Sequence, residues 1–69
     1  MKMIPVESSN VESVGYDDGS STLQVAFKKG GMYQYFDVPK GVFEALRDAS
    51  SVGGYLASNI KGRYRYSKV

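Results

Sequence analysis

TLQVAFKKGGMYQYFDV, residues Thr22 to Val38, decides how this chain folds. Leu23, Val25 and Phe27 alternate with Thr22, Gln24, Ala26 and Lys28, the period of a half-buried strand. Met32, Gln34, Phe36 and Val38 alternate in turn with Tyr33, Tyr35 and Asp37. Gly30 and Gly31 lie between the two runs, where a tight hairpin needs residues that accept positive φ. The stretch reads as a β-hairpin.

Loop length then sets which side chains face the core. A loop of Gly30-Gly31, or of Lys28 to Gly31, puts Leu23, Val25, Phe27, Phe36 and Val38 on one face. Tyr33 and Tyr35 then lie on the other face, flanking Ala26 as a shallow platform. A three- or five-residue loop would turn both tyrosines into the core instead. The even loop, with outward tyrosines, is the arrangement we expect from sequence.

The 69 residues suffice for one domain, 1–69, with no internal repeat or linker. A chain of this size buries only about 60% of its unfolded surface. It has neither cysteine nor histidine, so no disulfide or thiolate site can reinforce it and the commonest general base is missing. Association of several copies is the remaining way to bury apolar area, and a homo-oligomer is expected. Nine basic and seven acidic residues leave a net charge of +2. Lys61, Arg63, Arg65 and Lys68 crowd the C-terminal end, where no acid is found. No apolar run approaches the roughly 20 residues of a membrane span, and the polar N-terminus does not read as a signal peptide. A cytoplasmic location and no membrane partner follow as expectations.

Taken in order, Met1 to Val6 is a short apolar lead whose Pro5 fits only an edge strand. Val11 to Asp17 reads as a strand with Val14 and Tyr16 on one face, and Asp17 to Ser21 as a turn. Pro39 stops the third strand and suits a first helical turn. Val42, Ala45, Leu46 and Ala49 recur at helical spacing. Ser50 or Ser51 can cap a second helix whose stripe is Val52, Tyr55, Leu56 and Ile60, with Gly62 closing it. The tail RYRYSKV alternates and reads as extended. The expected fold class is α+β: a three- or four-stranded antiparallel meander followed by two helices packed on one face.

This order resembles the KTSC family, named for its occurrence at the C-terminus of some lysyl-tRNA synthetases. The residues that carry the resemblance are SSN at Ser8 and VGYD ending at Asp17, YQY at Tyr33 and VP at Val38. They continue through the Val42 to Leu46 helix, SSVGGY at Ser50 and NIKGRYRY at Asn59. The resemblance implies a small α+β domain, often free-standing in bacteria and their viruses, for which RNA binding has been the usual guess. It implies no role in tRNA charging, since no synthetase domain is attached here.

Chemistry is sparse. Without His or Cys, nucleophilic catalysis would need a Ser–Lys or carboxylate pair. Asp17 and Asp18 are adjacent turn residues without a further carboxylate at useful spacing, so no catalysis, metal or cofactor is expected. Binding is better supplied. Tyrosine rings stack on nucleobases while Arg and Lys neutralise phosphate. Tyr33, Tyr35 and Tyr64 are the candidate base-holding residues. Asn59, Lys61, Arg63, Arg65 and the Ser50-Ser51 helix start are candidates for the rest of the ligand and its phosphates. The Ser50 to Gly54 segment reads more readily as plain capping and close helix packing than as an anion site.

Two binding classes compete with a structural role in which the tyrosine face merely assembles the protein. A charge of +2 with one basic segment is thin for a polymer such as single-stranded RNA. We therefore expect capture of a small anionic nucleotide, cyclic forms included, at pockets completed by oligomerisation. With the viral occurrence that the resemblance implies, its biological form would be a sponge that withholds an immune signal from the host.

Overall fold

The computed structural model describes residues 1–69. Its frame is one antiparallel sheet of five strands in sequence order, β1-β2-β3-β4-β5. They are β1 (Met3–Pro5), β2 (Val11–Asp17), β3 (Thr22–Phe27), β4 (Met32–Tyr35) and β5 (Tyr66–Lys68). The three expected strands are present, and both chain ends add another. Pro5 sits in the outermost strand, where the missing N–H breaks no ladder.

The hairpin closes with the opposite parity to the one expected. Ala26 pairs with Met32, Val25 with Tyr33 and Leu23 with Tyr35. Phe27 N–H donates to the Gly31 carbonyl and Gly30 N–H to the Phe27 carbonyl, so the turn is odd. Gly30 and Gly31, at φ 119° and 89°, make that turn possible. Tyr33 and Tyr35 consequently share the face of Leu23 and Val25, and Phe36 takes the opposite one. The reason is local: Gly31 pairs with Phe27 instead of joining the turn, which leaves the three residues Lys28, Lys29 and Gly30 as the loop. Val38 still reaches the core because Asp37, at φ 58°, breaks the alternation before it. Aspartate adopts that left-handed conformation more readily than most residues.

β2 contains a second departure from strict alternation. Val11 pairs with Phe27 but Ser13 with Ala26, so one extra residue bulges between them. The bulge lets both Val11 and Val14 point inward, each fully buried.

The helical layer covers only the sheet face carrying Val14, Leu23 and Val25. Helix α1 (Lys40–Arg47) follows Pro39, whose carbonyl accepts from Val42 and Phe43 N–H. It buries Phe43 and Leu46, whereas Ala45, expected on the inner stripe, is exposed. Burying a phenyl ring removes far more apolar area from water than burying a methyl, so the helix settles on Phe43. That ring stacks on Tyr16 with centres 5.2 Å apart, and the Tyr16 hydroxyl donates to the Val38 carbonyl. Helix α2 (Val52–Tyr55) runs directly into a π-helical turn, Leu56–Ile60. Val52, Leu56 and Ile60 of this segment complete a core of 11 buried residues. No helix is long and apolar enough to cross a membrane.

Candidate functional site

The helices stop short of the sheet edge. Over β4 and β5 the helix-side face is therefore floored by aromatic side chains rather than roofed by a helix. Tyr35 stands opposite Tyr66, and Tyr33 opposite Lys68. Ring centres of Tyr66 lie 5.9 Å from those of both Tyr33 and Tyr35. Phe27 meets Tyr33 edge-on at 5.5 Å. Together these rings border an open cavity of about 620 Å³. Gly30 forms one lip, and Lys61 and Gly62 form the other, just past the π-helical turn.

Its electrostatics are one-sided. Lys61 holds its ammonium 5.6 Å from the centre of the Phe27 ring, an attractive cation–π arrangement. The Lys68 side chain runs along Gly31 beside Tyr33. No acidic residue lines the cavity. Of the hydroxyls, that of Tyr16 is bonded within the chain. Those of Tyr33, Tyr35 and Tyr66 are not, yet no unpartnered polar side-chain atom is sealed from the surface. The Tyr35 ring is buried while its oxygen opens outward. Burial, followed by the neighbouring Tyr33 and Tyr66, pushes the Tyr35 phenol above its ordinary pKa, so it stays protonated. The cavity thus offers flat apolar faces, phenolic hydroxyls and the Lys61 ammonium, with Lys68 close by, a set suited to a planar ligand carrying negative charge.

The structure divides the residues singled out from sequence into separate places. Tyr33, Tyr35 and Lys61 meet in this cavity. Arg63, Tyr64 and Arg65 line a shallower hollow with Phe36, and Tyr66 is the wall between the two. Arg65 is engaged there, donating to Asp37 at 3.0 Å. Asn59 is exposed, donates to the Tyr55 carbonyl and lines no hollow.

Ser50 and Ser51 lie elsewhere, in a polar hollow shared with Glu7, Ser8 and Asn10. Ser51 Oγ already accepts the Gly54 N–H at 3.2 Å, an N-cap. A Cβ on Gly54 would stand 2.9 Å from that oxygen, so close approach to the cap accounts for this glycine. With a carboxylate beside it and one α-helical turn behind it, the serine pair is poorly placed for phosphate.

Sequence reasoning placed Phe27 in the core and left Tyr66 and Lys68 out of the site. The alternation of the tail held the signal for the latter two: pairing with β4 puts Tyr66 and Lys68 on one face. The odd hairpin loop is what makes that face the one bearing Tyr33 and Tyr35.

Comparisons with known proteins agree on the family. The family model of the KTSC domain matches residues 7–64. A protein of Tsukamurella paurometabola is 41% identical over 63 residues, spanning 91% of this chain and 94% of that protein. A lysine–tRNA ligase of Trichormus variabilis is 34% identical over 67 residues, 97% of this chain but only 12% of the ligase. The crystal structure of a KTSC domain protein from Yersinia pestis superposes with a TM-score of 0.95 at 34% identity. It covers 99% of this chain and 96% of its own. Sequence and fold together establish that this chain belongs to the KTSC domain family.

Proposed function

We propose that this protein is a non-catalytic binding module for a small anionic nucleotide held in the tyrosine cavity. The observation that carries the reading is the convergence of Phe27, Tyr33, Tyr35, Tyr66 and Lys61 around one open space. A base would lie against the rings, hydroxyls of Tyr33, Tyr35 and Tyr66 would meet its edge, and Lys61 with Lys68 would hold phosphate. Nothing in this set performs chemistry on the ligand, so the protein's effect is stoichiometric sequestration. Withholding a mono- or cyclic nucleotide signal, as a sponge in a bacterial cytoplasm or in an infected cell, is the biological form this takes.

A thermal-shift panel of mono-, di- and cyclic nucleotides, with native mass analysis of the bound species, tests it. A binder at about 100 times its dissociation constant stabilises by about 2.7 kcal/mol, a rise of several degrees or more for a domain this small. Lys61→Ala should remove most of that rise. An unmoved melting temperature across the panel defeats the reading.

A second reading is supported by one observation: the matched lysine–tRNA ligase, named for an RNA substrate, contains a counterpart of nearly the whole chain. Single-stranded RNA would stack on Tyr33 and Tyr66 and run its backbone along Lys61, Arg63 and Lys68. That predicts a gel-mobility shift that weakens steeply as salt rises. Affinity indifferent to salt would exclude it.

A further inference from the structure

The sheet has a second face on which no helix packs; only at its β1 end is it covered, where Met3 Sδ, the Lys2 carbonyl oxygen and Met1 Cγ lie 2.7, 2.9 and 3.1 Å from where a Gly15 Cβ would stand. Its middle row runs Met3, Gly15, Gln24, Gln34 and Ser67 across all five strands. The row beside it runs Pro5, Ser13, Ala26 and Met32. None of these side chains is charged, although the chain carries sixteen charged residues, nine basic and seven acidic. Charge stands at the margins: Asp17 and Arg65, which Asp37 already neutralises, beyond the middle row, and the exposed bulge residue Glu12 next to Ser13. Depletion of charge at the centre with a charged margin is the pattern of an association surface.

The middle row also carries incomplete hydrogen bonding. Gln34 Nε2 donates to Gln24 Oε1 at 2.9 Å. This leaves Gln24 Nε2, whose contact is the weak acceptor Met3 Sδ at 3.6 Å, together with Gln34 Oε1. One free donor and one free acceptor thus stand side by side on neighbouring strands, so the pair is complementary to a rotated copy of itself.

We propose that a second copy of this chain packs on the bare face across a two-fold axis. Gln24 of each copy then donates to Gln34 of the other and closes a ring of four amides. Sheets stack at about 10 Å, a distance that two glutamines extended from opposing faces can span. Ala26 and Ser13 keep the surroundings shallow enough for that approach. Five strands about 4.8 Å apart and three rows about 6.8 Å apart give on the order of 500 Å² per copy. The total, about 1,000 Å², is the lower bound of a specific interface, so the dimer is weak and concentration-dependent. A symmetric, self-complementary patch of this kind fits a copy of the same chain better than an unrelated partner.

Sedimentation velocity over a 1 µM to 1 mM series of the full chain tests the proposal. Wild type should pass from monomer to dimer within that range. Ala26→Arg, placing two cations across the axis, should weaken the dimer at least 100-fold while leaving the far-UV circular dichroism unchanged. Glu44→Lys, on the exposed side of α1, should leave association as it was. Should Ala26→Arg fail to fold, Gln34→Glu decides. It should be monomeric at pH 8 and dimerise again as the paired carboxyls protonate below about pH 4.3. Wild type that stays monomeric at 1 mM overturns the proposal. So does a dimer that survives Ala26→Arg or Gln34→Glu, which would place the contact elsewhere, for instance along the open edge of β5. The cavity lies on the other face, so these results are independent of the nucleotide panel.

Discussion

Tyr66 stands across the β4–β5 ladder from Tyr35 with ring centres 5.9 Å apart, yet 62% of Tyr66 is exposed and only 3% of Tyr35. One ring belongs to the core, and the other lies against it from β5, mostly open to solvent. The cavity is therefore built from a fixed floor and a wall that contributes little to folding.

Tyr66→Ala should accordingly leave stability within about 0.5 kcal/mol of wild type, as for other surface changes. Tyr35→Ala should cost about 3–5 kcal/mol, the range of buried aromatic truncations. Urea unfolding of the two variants checks the contrast. Equal losses would mean that Tyr66 packs more tightly than its exposure indicates.

Tyr16→Phe removes the hydroxyl that donates to the Val38 carbonyl while keeping the stack on Phe43. A loss of about 1 kcal/mol is expected, with an unchanged denaturant slope, because only one hydrogen bond is deleted. This bond ties β2 to the segment leading into α1. Amide exchange in residues 38–43 should therefore quicken more than in β2.

Gly15 has no room for a side chain. A Cβ there would meet Met3 Sδ at 2.7 Å and the Lys2 carbonyl oxygen at 2.9 Å. The thioether can swing aside but the backbone oxygen cannot do so without moving β1. Gly15→Ala should cost about 1–3 kcal/mol, as overpacking does. Adding Met3→Ala should recover less than half. Full recovery in the double variant would show that the sulfur was the whole obstacle.

Alkali should act through Tyr35. Its pKa is raised in the folded chain, mainly by burial. The unfolded chain releases this proton near pH 10, whereas the native protein holds it longer. The contribution to stability is present in full below about pH 10 and disappears as pH rises through the native pKa. Melting temperature should hold steady from pH 8 and decline above 10. Tyr35→Phe should flatten that decline, and an identical alkaline profile in the variant would contradict it.

Much of this architecture is readable from residues in isolation. The alternation in Val11 to Asp17 and Thr22 to Phe27, the polar turn between them, and the stripe Val52, Leu56 and Ile60 all fix local structure by period alone. Ser51 is a cap by residue type and position. What the chain conceals depends on counts rather than types. Two lysines and two glycines can form an even or an odd turn with equal chemical plausibility, and that single residue decides whether Tyr33 and Tyr35 look in or out. Phe43 is hidden in the sequence because the smaller Val42 and Ala45 satisfy helical spacing without it. The tail reads as extended, but its partner strand is long-range information that no local pattern supplies.

The extra residue in β2 has an evolutionary corollary. It shifts the reading frame of the strand midway, so its two halves obey opposite inside–outside rules. Flattening the bulge with Glu12 retained would carry Glu12 inward and swing Val11 into water, whereas excising Glu12 would leave Val11 opposite Phe27 in a regular pleat. Asn10 would then stay opposite Lys28, whose amide its carbonyl accepts at 2.9 Å. Single-residue deletions among homologues should therefore be accepted at Glu12 as well as in the solvent-facing bend at Asp18 to Ser20. At Glu12 a lost codon would be felt as a straightened strand rather than an inverted one.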